Sequence, residues 1–94
     1  MDVLPKGRIV GHGHIDVAAV AAALPAGPCG SVIIKALAAN AGTVYVGSSS
    51  VTTSNGFPLA AGDSISLFIG RLENVFVIAA DANQDIRWLA ISKD

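Results

Sequence analysis

Charge is scarce in this chain of 94 residues: Asp, Glu, Lys and Arg make up 14% of it, against about 25% in an ordinary soluble domain. A domain this small has much surface for its volume, so with few charges some of its outside must be uncharged or apolar. Part of that outside is therefore expected to be covered by other subunits. The charge that is present is balanced, six basic against seven acidic residues for a net −1. This excludes the basic footprint of a nucleic-acid binder and a polybasic membrane anchor. Cysteine is represented once, by Cys29, so no internal disulfide can form and the fold must stand on its core or on its neighbours. Uninterrupted membrane-length runs are missing too. The uncharged stretches 17–34 and 36–62 are broken by Pro25, Gly27, Pro28 and Gly30 in the first and by Gly, Ser, Thr and Asn in the second. The opening Met1-Asp2-Val3-Leu4-Pro5 lacks the basic region and apolar core of a secretory signal, so the reading is a soluble product made in the cytoplasm.

Glycine and proline punctuate the chain at short intervals, and the apolar runs between them have the length of strands. The class is read as all-β. Ser31-Val32-Ile33-Ile34-Lys35-Ala36-Leu37 is dense in β-branched residues. Asn40 and Gly42 in the following link suggest a chain reversal that pairs this strand with Thr43-Val44-Tyr45-Val46 as a hairpin. Residues 47–56 read as a polar surface loop ending in an Asn-Gly turn. In 64–69, Ile65, Leu67 and Ile69 share one face and Ser64, Ser66 and Phe68 the other. The runs 75–79 and 86–91 are apolar on both faces, as expected of strands held between a core and another layer. Val17, Val20 and Leu24 sit at helical spacing, with Asp16 placed to cap, so propensity alone reads 17–24 equally well as a helix. Arg8 to Ile15 reads as an extended strand loosened by glycine. The organisation expected is an N-terminal arm, 1–9, followed by a single domain, 10–94.

The reactive residues assemble no complete catalytic or ligand set. His12, His14 and Asp16 would share one face of a strand, but two histidines and one carboxylate are an incomplete ligand set, and no metal is expected. Cys29 precedes a buried-looking strand and reads as a small core residue, its candidate bases being those same histidines. Ser48, Ser49 and Ser50 lack the strained elbow that exposes a nucleophile. Asp81 and Asp85 flank Asn83 and Gln84 without the spacing of an EF-hand. Gly11 and Gly13 lack the third glycine of a phosphate loop. The chain is read as no enzyme, with no cofactor.

The segment Ala36-Leu37-Ala38-Ala39-Asn40-Ala41-Gly42-Thr43-Val44-Tyr45-Val46-Gly47, with Val51-Thr52-Thr53-Ser54-Asn55-Gly56-Phe57-Pro58-Leu59 and Gly62-Asp63-Ser64-Ile65-Ser66-Leu67, resembles a group of small tailed-bacteriophage virion proteins over roughly residues 31 to 91. The resemblance implies a compact antiparallel β-sandwich, jelly-roll-like, with seven to eight short strands, in which 17–24 is extended. It further implies a virion structural protein on the capsid surface, a cement or decoration protein that binds the major capsid protein as a homo-oligomer, a trimer being favoured. Such modules also serve in tails and fibres, so a tail, neck or fibre component is an alternative, and a virion-displayed carbohydrate-binding module is another. The residues assigned to a subunit or capsid interface are Val3, Leu4, Tyr45, Phe57, Leu59, Phe68 and Phe76. Light scattering after gel filtration at micromolar concentration is expected to show a species larger than a monomer; a clean monomer would remove the argument from low charge.

Overall fold

A two-residue period buries every second side chain of a strand, and two such sheets laid face to face enclose a core. The computed structural model describes residues 7–92. They form strands β1 (Ile9–Val17), β2 (Ala22–Ala23), β3 (Ser31–Ala36), β4 (Val44–Gly47), β5 (Phe57–Leu59), β6 (Ser64–Leu67), β7 (Phe76–Ala79) and β8 (Gln84–Ile91), with one 3-10 turn, η1 (Leu72–Asn74). The first sheet has the order β1-β8-β3-β6 and the second β2-β7-β4-β5, all antiparallel. Four of the pairings are nested: β4 with β5, β3 with β6, β2 with β7 and β1 with β8. The chain is thus one long ribbon, doubled back between β4 and β5 and wound so that its segments fall into opposite sheets. This is the jelly-roll order, and the all-β sandwich read from the sequence is the observed fold. Among the described residues no helix is long and apolar enough to cross a membrane.

Val32, Ile34 and Ala36 of β3 and Ile86, Trp88 and Ala90 of β8 form one wall of the core. Val44 and Val46 of β4, Leu59 of β5 and Val77 and Ala79 of β7 form the other. Each fully buried valine or isoleucine contributes about 1.5–3 kcal/mol relative to exposure. Ile65, Leu67 and Ile69 close the core from the β6 side, leaving Ser64, Ser66 and Phe68 exposed. The indole of Trp88 fits because β1 offers it no side chain. A Cβ at Gly11 or Gly13 would come within 3.2 Å of the ring, and Gly13 stands directly opposite Trp88 in the ladder. The Gly-x-Gly pattern therefore makes room for a ring.

Of the two readings left open for 17–24, the helix offered by the spacing of Val17, Val20 and Leu24 does not form, and the segment is extended. Val17 ends β1 opposite Gln84, Ala22 and Ala23 pair with Val77 and Phe76, and Leu24 N–H donates to the Val75 carbonyl at 3.0 Å. Long-range sheet partners claim these backbone groups, which overrides alanine's helix preference. Val17 and Leu24 are buried while Val20 is 80% exposed, so the three share no face. The expected β3–β4 hairpin is also corrected. Both strands bury valines, and they do so from opposite sheets. The link between them instead grips the start of β8. Leu37 N–H and the Asn40 side-chain amide donate to the Asp85 carbonyl at 3.1 and 2.9 Å. Asp85 N–H donates to Asn40 Oδ1 at 2.8 Å. Gly42 N–H donates to Oε1 of the buried Gln84 at 2.8 Å. Neither Asn40 nor Gly42 uses a positive φ; among the described residues those that do are Gly62 and Asn83.

The true hairpin is β4–β5, closed by residues 48–56. Its tip is held by its own polar groups, Thr52 N–H donating to Asn55 Oδ1 at 2.7 Å and Asn55 N–H to Thr52 Oγ1 at 3.2 Å. The loop is not wholly polar in its packing, for Val51 is buried beneath it. A Cβ on Gly56 would lie 2.6 Å from Tyr45 Cβ, so the Asn-Gly pair matters here for space. At the other end, Arg8 and Ser92 exchange bonds, Ser92 N–H to Arg8 O at 2.8 Å and Arg8 N–H to Ser92 Oγ at 3.0 Å. The ladder begins at Ile9, which puts the end of the expected arm inside the first sheet. Residues 1–6, including Val3 and Leu4, lie outside the described residues.

Because Asn40 makes two bonds that behave as a strand partner for Asp85, Asn40→Ala is expected to lower unfolding stability by about 1–3 kcal/mol in urea melts. A change below about 0.5 kcal/mol would show that the link does not hold β8.

Candidate functional site on the outer face of the first sheet

Directly opposite residues of an antiparallel ladder share a face, and this rule assembles the outer surface of the first sheet. His12 stands opposite Leu89, His14 opposite Arg87, Asp16 opposite Asp85 and Ile9 opposite Ile91. On the other flank of β8, Lys35 stands opposite Arg87, Ile33 opposite Leu89 and Ser31 opposite Ile91. The face is therefore polar at one end and apolar at the other. At the polar end His14 Nδ1 lies 3.8 Å from Asp85 Oδ1, and Arg87 Nη2 lies 3.8 Å from Asp85 Oδ2. A hollow of about 430 Å³ is lined by His12, Gly13, His14, Arg87 and Trp88. One ligand atom each from His14, Asp16 and Asp85 falls within a mutual 4.8 Å.

The apolar end carries Ile9, 62% exposed, with Ile33, Leu89 and Ile91 half-buried. Phe68 follows β6 on the same side and is 92% exposed, beside Gly30, Ser31 and Ser92. No other large hydrophobic side chain among the described residues is so open to water.

The residues assigned to an interface from the sequence are not brought together. Phe68 lies on the face just described. Tyr45 and Phe76 lie half-buried on the outer face of the second sheet, where Ile78 stands between them in the pattern. Phe57, 56% exposed, sits at the mouth of an apolar groove of about 340 Å³ lined by Val46, Ile65, Leu67, Ile69 and Val75. Leu59 is a correction: it is 2% exposed and belongs to the core opposite Val44, so it offers no surface. Sequence reasoning placed His12, His14 and Asp16 on one face, where they are exposed, but missed Asp85. That residue arrives from a strand nearly seventy positions away, and only the register of β1 against β8 reveals it.

Other reactive groups fall elsewhere. The Cys29 thiol is buried and donates to the Ile69 carbonyl at 3.0 Å. Burial first, and the nearby Glu73 charge second, push its pKa above the ordinary thiol value. Glu73 is held in its charged form, its pKa lowered by its own backbone N–H, by Gly27 N–H and by Arg71. A lowered carboxylate pKa supports the fold above the unfolded value and loses that support as pH falls through the folded one. Gln84 spends its side chain on Gly42 and on the Ala82 carbonyl, which removes it from any cation loop with Asp81. Trp88, 7% exposed, presents no flat platform to a sugar.

No protein-family model matches this sequence, and a comparison with curated proteins finds no relative. The site has to be read from its own chemistry. A buried thiol with a raised pKa is a poor nucleophile. Iodoacetamide at neutral pH is therefore expected to label Cys29 slowly in the native protein and fully in urea, as read by mass spectrometry. Rapid native labelling would contradict the burial assigned to it.

Proposed function

We propose that this chain is a structural protein of a tailed-bacteriophage virion, a capsid cement or decoration protein that binds the major capsid protein and stabilises the shell. The observation that carries the reading is the apolar end of the first sheet's outer face, with Phe68 92% exposed and Ile9 62% exposed on a chain with 14% charged residues. The motif resemblance of residues 36–47, 51–59 and 62–67 supports the same reading. Side chains of this size left in water favour association, each burial being worth about 1.5–3 kcal/mol before entropic costs. A small domain repeated over a lattice multiplies that gain at every seam. It favours the assembled shell over separate subunits by mass action. A symmetric trimer fits the reading, since a closed ring would cover one apolar patch per copy and leave another for the shell.

Loss of the protein is then conditional in its effect. Particles lacking it are expected to assemble and package DNA but to leak at lower temperature or on osmotic shock, and added protein restores them. Phe68→Glu is expected to leave the isolated domain's stability within about 0.5 kcal/mol while abolishing restoration. If deficient particles keep normal heat resistance and fail instead to join tails or adsorb to cells, the chain is a tail or fibre component and the cement assignment falls.

A further inference from the structure

The polar end of the same face carries a second inference. We propose that His14, Asp16 and Asp85 form a binding site for a divalent cation of the zinc class. The case begins with register. Asp16 and Asp85 are directly opposite each other in the β1–β8 ladder, and like charges so placed are destabilising. Neighbouring groups do not resolve the conflict. Arg87 reaches only Oδ2 of Asp85, at 3.8 Å, and Lys35 is turned to the Gly62 carbonyl at 3.2 Å. No ion pair reaches the Asp16 carboxylate among the described residues, the pairs at this end all falling on Asp85. Asp85 Oδ1 is shut off from solvent and has no hydrogen-bond partner, His14 Nδ1 at 3.8 Å being too far to donate. A solvent-shielded carboxylate oxygen without a donor is costly. One cation among the three side chains relieves that cost and the repulsion together.

The donor set selects the cation. One imidazole nitrogen with two carboxylate oxygens suits zinc, cobalt or manganese, whereas calcium and magnesium take oxygen alone. Asp85 is the fixed member, its backbone clamped on both sides by Leu37 and Asn40. His14, 63% exposed, and Asp16 are free to rotate onto an ion from the 4.8 Å separation observed. Three protein ligands leave the fourth tetrahedral position to water. His12 lies one pair along the strand, opposite Leu89, and is outside the set.

Calorimetric titration of the full chain with zinc chloride, repeated with cobalt(II) to read its visible absorption, tests the site. One ion per chain is expected. Asp85→Asn and Asp16→Asn, which keep side-chain shape and remove charge, should each weaken binding by at least about tenfold, with circular dichroism showing the fold intact. His12→Ala should leave it within about twofold, well under the tenfold expected for a ligand. Absence of binding, unchanged affinity in Asp85→Asn, or equal binding of calcium would overturn the proposal.

Discussion

Everything in this domain waits on the insertion of β8 between β1 and β3. Until that strand arrives, the first sheet has no centre: β1 has no other sheet partner, and β3 is left with β6 alone. The same strand supplies Ile86, Trp88 and Ala90 to the core and Asp85, Arg87, Leu89 and Ile91 to the outer surface. Its pairs join residues such as Ile9 and Ile91 across most of the chain. Such non-local pairing has to meet the entropy of closing long loops before any contact rewards it, so a slow, cooperative folding step is built into the topology. The Asn40 and Gly42 contacts to Asp85 and Gln84 act as a latch on that step, fixing where β8 starts and hence which of its residues face inward.

The sheet edges are managed unequally. In the second sheet β2 has only two residues and β5 contains Pro58, which cannot donate to a ladder. In the first sheet β1 runs for nine residues as an edge. Its protection is chemical, with His12, His14 and Asp16 standing out from it and Gly11 and Gly13 on either side of His12. The charged end of the face thus discourages another strand from adding there, while the apolar end, around Ile9, Ile91 and Phe68, invites a partner of a different kind. One pair of strands carries both properties because a strand's length exceeds the reach of either group.

Much of the fold was legible in the sequence because the two-residue period is local. The strand at 31–36, the split faces of 64–69 and the apolar runs that became β7 and β8 were visible in their own residues, but the second apolar face expected of β8 is interrupted by Asp85 and the exposed Arg87. What failed was whatever depended on a distant partner. The 17–24 segment carries a helical spacing and alanine's helix preference, and only backbone partners at Val75, Val77 and Gln84 decide against it. The Asn40–Gly42 link looks like a tight reversal, because nothing nearby reveals that it is bound to Asp85. Leu59 beside Phe57 on a three-residue strand looked as surface-bound as its neighbour until the opposite sheet buried it. Of the outer-face site, His12, His14 and Asp16 were readable by alternation, and Asp85 was not, since register cannot be read from one strand.

The tryptophan resting on two glycines gives the molecule a built-in optical gauge. Trp88 is the single indole in the chain, and its ring is separated from the outside along β1 by backbone alone. Its Nε1 is buried with no hydrogen-bond partner, an environment that keeps emission at short wavelength. When β1 peels from β8, water reaches the ring before the far wall of valines is disturbed. Emission then moves to the red while the dichroism of the other seven strands remains, so one intrinsic fluorophore distinguishes opening of this edge from collapse of the whole sandwich.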